Sequence, residues 1–216
     1  MAREKKITVK IIANSALSFQ LNDEGDKEYP LYAQVTYDRK TTKFPLAGEL
    51  WATEEDVNEY YSSGYPKDEV QQIAEFEKER SLDFSVRGFA DIYKVYTSSF
   101  HLATEFYLMD IVDREAQKVV TVSRYRELNP NGIFDYRRGL EILDLQTTDE
   151  IRETLEVYDT LLRMRVDLTV LGWIIPGSDR ENAIKILEAS CDVPSLKISQ
   201  LDKIAFRLID TYTYTP

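Results

Sequence analysis

Apolar and polar residues alternate from Tyr29 to Tyr37, which places Leu31, Ala33, Val35 and Tyr37 on one side. A two-residue period of this kind predicts a strand with one buried face. Asp38-Arg39-Lys40 turns the chain and residues 41–46 return, so 29–46 reads as a β-hairpin. Pro45 near the end of the return marks an edge strand, where a missing N–H costs no ladder bond. Residues 6–13 (KITVKIIA) are β-rich and predict a first strand, and residues 22–27 (NDEGDK) form a polar loop. After Trp51, Thr53 is followed three residues later by Asp56, a variant of the capping box. It opens a short helix through about Tyr61, which Ser62-Ser63-Gly64-Tyr65-Pro66 breaks.

The period then lengthens. Residues 67–96 read mainly as helix, with Val70, Ile73, Phe76, Phe89, Ile92, Tyr93 and Tyr96 at helical spacing. Residues 104–127 fit either a second hairpin around Asp113–Gln117 or a helix through Ala116. Asn129-Pro130-Asn131-Gly132 is a turn. Thr147 with Glu150, Ser178 with Glu181, and Ser199 open three helices, the last carrying Leu201, Ile204, Ala205, Leu208 and Ile209 on one stripe. The expected fold class is α+β: a small N-terminal antiparallel sheet with a helix, then a mainly helical bundle that could hold a second β-hairpin. The expected division is 1–66, 67–210 and an extended tail, 211–216.

Composition narrows the function. The formal charge is −11 over 216 residues. Residues 1–50 carry eight Lys/Arg and seven acids, leaving 19 basic and 31 acidic side chains for the remainder. An acidic body repels nucleic acid, so any such contact belongs to the first fifty residues. A single cysteine, Cys191, excludes an internal disulfide and a cysteine zinc site. The N-terminus lacks the apolar core of a signal peptide, and no apolar run has membrane-spanning length. The expectation is a protein of a bacterial host's cytoplasm, available for incorporation into a virion.

Catalytic chemistry is thinly represented. The one histidine, His101, sits between Phe100 and Leu102 with no nucleophile motif beside it, and reads as a packed or surface residue. The eight glycines form neither a P-loop nor a dinucleotide fingerprint. Glu54-Glu55-Asp56 and Asp149-Glu150 stand where a helix's first turn favours negative charge. No catalytic, cofactor or metal residue is assigned, and the chain is expected not to be an enzyme. The helices over 179–190 and 200–210 read as bundle packing, since their connection is too long for a helix-turn-helix. The final TYTYTP alternates Thr and Tyr; as an extended tail it would offer Tyr212 and Tyr214 to a partner's sheet edge.

Tyr29-Pro-Leu-Tyr-Ala-Gln-Val-Thr-Tyr-Asp-Arg-Lys40, Lys43-Phe-Pro-Leu46 and Trp51 together resemble the arm-type DNA-binding domain of tyrosine recombinases from Bacteroides-like bacteria and their mobile elements. The resemblance covers residues 6–80. It implies a three-stranded sheet with a helix on one face, and DNA contacts from Lys10, Arg39, Lys40 and Lys43. The recombinase catalytic domain carries a His-x-x-Arg motif, whereas His101 is followed by Leu102, Ala103 and Thr104. Two functions are therefore expected. The first is a non-enzymatic assembly protein, such as a phage neck, connector or internal component, working as a homo-oligomer or with other virion proteins. The second is an accessory DNA-binding protein that uses the N-terminal sheet.

Overall fold

The computed structural model describes residues 5–81, 84–128, 136–143, 148–164, 168–189 and 196–213. The Asn129–Gly132 turn and Cys191 lie outside them. The fold is α+β, an N-terminal antiparallel sheet followed by helices. The chain forms two compact units that divide between Thr97 and Ser98.

In the first unit, β3 (Lys27–Tyr37) is the central strand. It pairs antiparallel with β1 (Thr8–Ala13) and β4 (Lys40–Pro45), and near its start with the short β2 (Gln20–Leu21) and β5 (Trp51–Ala52). The alternation predicted for 29–37 holds: Leu31, Ala33 and Val35 are buried with Val9, Ile11 and Phe44. The hairpin loop is two residues long, because Tyr37 pairs with Lys40. Asp38 and Arg39 both have positive φ, 47° and 64°, as a type I′ turn requires to match strand twist.

Three helices complete this unit: α1 (Glu54–Tyr60), α2 (Lys67–Arg80) and α3 (Val86–Thr97). The Thr53–Asp56 capping box forms as predicted, with Asp56 N–H donating to Thr53 Oγ1 at 3.1 Å and Thr53 N–H to Asp56 Oδ2 at 3.2 Å. Helices α2 and α3 cover the apolar side of the sheet. Phe44 meets Phe89 and Tyr93 of α3, with ring centroids 5.7 and 5.0 Å apart. A sheet with one apolar face is stable only when that face is covered, so these helices share the sheet's unit. The division consequently falls thirty-one residues after the expected boundary at 66.

The second unit is helical among its described residues: α4 (Phe100–Val119), α5 (Val122–Leu128), α6 (Tyr136–Ile142), α7 (Asp149–Met164), α8 (Val170–Ile174), α9 (Ser178–Ala189) and α10 (Leu196–Thr213). Residues 104–127 are thus two helices, and the hairpin alternative is not formed. Ala103, Tyr107, Leu108, Ile111 and Val112 are buried along one side of α4, a helical period that overrides the β-branched run at 119–122. Trp173 is fully buried, and its indole N–H donates to Asp202 Oδ1 at 3.0 Å. Arg180 lies over that indole at 4.8 Å and pairs with Asp202 at 2.8 Å, tying α8, α9 and α10 together. Helix α10 runs through Thr213, so residues 211–213, including Tyr212, are helical instead of extended. Tyr214 lies outside the described residues. Among the described residues no helix is long and apolar enough to cross a membrane.

Candidate nucleic-acid interface

Side chains alternate across a strand, so burial of one set of sheet residues defines the other. Three cross-strand rows lie on the side opposite α2 and α3. They are Thr8–Thr36–Thr41, Lys10–Gln34–Lys43 and Ile12–Tyr32–Pro45. Each row has its middle residue on β3. The β1 and β4 members are exposed except for the half-buried Ile12, and the three β3 members are half-buried. None of the three rows holds an acid. Glu28 shares their parity but lies beyond them at the β2 end, where it accepts a hydrogen bond from Gln20 at 2.9 Å.

The central row is the basic one. Lys10 and Lys43 flank Gln34, and among the described residues neither lysine has an ion-pair partner. In the neighbouring row the Thr36 and Thr41 hydroxyls bond each other at 2.9 Å. At the hairpin end Arg39 is exposed, and Asp38 beside it is paired with Lys5 at 2.8 Å. That hydrogen bond holds the Asp38 carboxyl below its usual range and the Lys5 ammonium above its own. The pairing removes the one acid of the turn from competition with Arg39.

The structure brings together some of the sequence-predicted residues and separates others. Lys10 and Lys43 share a row, and Arg39 stands at the end of the same sheet. Lys40 does not join them. It pairs with Tyr37 and has the parity of Phe44, so it emerges on the helix-bearing side. One residue was missed: Gln34, the centre of the row. The signal for Gln34 was present in the sequence: a two-residue loop at Asp38-Arg39 places Gln34 opposite Lys43 by counting back from the turn.

Other polar groupings are occupied by structural tasks. A cavity of about 330 Å³ lies between residues 5–7 and α2, lined by Lys5, Lys6, Ile7, Glu75, Lys78 and Glu79. Lys78 donates to the Lys5 carbonyl oxygen at 3.1 Å, and Lys5 is held by Asp38. The fully buried Glu77 accepts from the Tyr96 hydroxyl at 2.6 Å and pairs with Arg80 at 2.9 Å. Asp149 pairs with Arg152, and Glu150 accepts from Tyr107 at 2.6 Å. His101 is half-buried; its Nδ1 lies 3.3 Å from Ser99 Oγ and its ring stacks on Tyr158 at 6.2 Å.

The chain matches no family model, and neither a curated protein nor a solved structure is detectably similar to it.

Proposed function

We propose that this protein binds duplex DNA through the open side of the β1–β3–β4 sheet. The observation that carries the reading is the in-register row Lys10–Gln34–Lys43, on an exposed surface whose three rows contain no acid. Two lysines on one row, neither with an ion-pair partner among the described residues, are available to phosphate, and each neutralised phosphate releases counterions and adds affinity. Exposed acids of α2 such as Glu75 and Glu79 stand on the other side of the sheet, on a helix about 10 Å in diameter. The Debye length is about 8 Å at physiological salt, so those charges are largely screened from a ligand on the open side.

Arg39 supports the same reading. A left-handed backbone at the second turn position favours glycine, yet the chain places an arginine there at φ 64°. Asp38 and Glu49 share the positive φ, so the support comes from the exposed guanidinium at the hairpin end and not from the strain. The test is fluorescence anisotropy with a labelled random-sequence duplex. The full chain should bind at about 50 mM salt, with log K falling linearly as log salt rises. Lys10→Ala with Lys43→Ala should make that slope shallower by about two. Absence of duplex binding at the lower salt would overturn the proposal.

A second reading, an assembly protein of a phage particle, draws on the helical unit. Leu102 and Phe106 lie one turn apart on α4 and are 44% and 62% exposed, a pairing that suits protein contact. Light scattering after size exclusion tests it; a strict monomer at all concentrations would remove it.

A further inference from the structure

We propose that the aromatic end of the open side docks an acidic, proline-rich segment of a partner protein in the polyproline II conformation, held by Tyr32 and Trp51. The basic residues occupy only one end of this side. Beyond the Ile12–Tyr32–Pro45 row the next is Asn14–Pro30–Trp51, because the Asn14 N–H donates to the Pro30 carbonyl at 3.0 Å and Trp51 pairs with Pro30. Tyr32 and Trp51 are therefore diagonal neighbours on adjacent strands, and both are half-buried. Diagonal neighbours lie about 7–8 Å apart. An apolar ring placed between two aromatic faces takes about 3.5–4.0 Å of contact distance on each side, so the pair is spaced to hold one pyrrolidine ring. Among the described residues neither aromatic ring meets another, and neither the indole N–H nor the phenol O–H has a hydrogen-bond partner. Both groups reach solvent, since the buried side-chain polar atoms left without a partner there belong to Asp113 and Arg207.

Two open donors beside an apolar slot match the chemistry of such a segment. A polyproline II chain makes no internal hydrogen bonds, so its carbonyl oxygens are open to the indole N–H and the phenol. Its rings are apolar, and its backbone is set before binding, which lowers the entropy lost on docking. Charge selects what flanks the prolines. Lys10 and Lys43 stand in the row next to Tyr32, two residues along β3 or about 7 Å away. Neither has an ion-pair partner among the described residues, and acidic side chains beside the prolines complement them. The segment belongs to another chain, since the seven prolines here stand singly along the sequence. This docking is a protein contact and holds whether or not the sheet also binds duplex DNA.

The experiment follows the indole N–H resonances of the isotope-labelled full chain during titration with synthetic peptides. The chain has two tryptophans, and Trp173 is fully buried with its N–H on Asp202. A ligand on the sheet should therefore move the Trp51 signal, assigned with Trp51→Phe, and leave the other in place. An oligoproline ending in paired glutamates should move it saturably, and a glycine–serine chain with the same glutamates should not. Tyr32→Phe keeps the ring and should weaken oligoproline binding about two- to tenfold, the worth of one hydrogen bond. Lys10→Ala with Lys43→Ala should still bind oligoproline but no longer prefer glutamate ends to lysine ends. Unchanged urea midpoints would show that each variant folds. An unmoved Trp51 signal, an equal response to the glycine–serine chain, undiminished binding by Tyr32→Phe, or a glutamate preference that survives loss of both lysines would overturn the proposal. So would oligothymidylate moving the Trp51 signal in preference to oligoproline, an outcome that assigns the rings to stacked, unpaired bases.

Discussion

Arg39 concentrates two opposing demands in one residue. Its φ of 64° is a conformation that costs an L-residue about 1–2 kcal/mol relative to glycine. The larger entropy of glycine in the unfolded chain offsets about 0.4–1 kcal/mol of that. Arg39→Gly should therefore raise stability by about 0.5–1 kcal/mol, read as a higher urea midpoint at unchanged slope. The same substitution should weaken duplex binding and make its salt slope shallower by about one. A variant that became less stable would show that the Arg39 side chain supports the hairpin itself. At this scale the sequence was legible in type and illegible in direction. Arg39, Lys40 and Lys43 are evident as a basic turn, but taking Lys40 as part of a three-residue loop conceals that it pairs with Tyr37 and points away from Lys43.

At the scale of elements, α2 and α3 are joined by a buried charge. Glu77 is fully buried, and its Oε1 receives the Tyr96 hydroxyl at 2.6 Å and the Arg80 Nε at 2.9 Å. Burial first, and then the Glu77 carboxylate, hold the Tyr96 phenol well above its ordinary value of about 10. The folded chain therefore keeps this proton where the unfolded chain has lost it, so stability falls as pH rises beyond about 10. Tyr96→Phe should cost about 1.5–3 kcal/mol near neutral pH, the usual worth of a hydrogen bond to a charged group. It should also flatten the decline on the alkaline side. Urea unfolding at a series of pH values reads both effects, and a Tyr96→Phe curve parallel to that of the natural sequence would refute the linkage. None of this could be read from spacing, because Glu77 lies among the charges of an ordinary helix, and only the packing of Tyr96 against it shows that it is inside.

For the whole molecule, the parts legible in sequence are those whose period is uninterrupted. The alternation of β3, the capping box at Thr53 and the apolar stripe of α10 all appear where they were expected. Residues 104–127 could not be resolved from pattern. The run Val119-Val120-Thr121-Val122 favours strand locally, and the chain does extend at Val120 (φ −111°, ψ 150°), but only as the break between α4 and α5. Packing of α4 decides the rest. The row across β1, β3 and β4 was half legible: turn length fixes Lys43 opposite Gln34, whereas the 13-residue connection from β1 to β3 leaves the position of Lys10 open.

Strands β1 and β4 each pair with β3, and both outer edges carry a lysine at mid-strand, with a proline closing β4. Charged and proline-bearing edges are how sheets avoid joining end to end with other chains. Lys10 and Lys43 thus guard against polymerisation. Stripping both charges should leave a sheet more open to edge-to-edge pairing with other copies of the chain, read as concentration-dependent aggregation in light scattering.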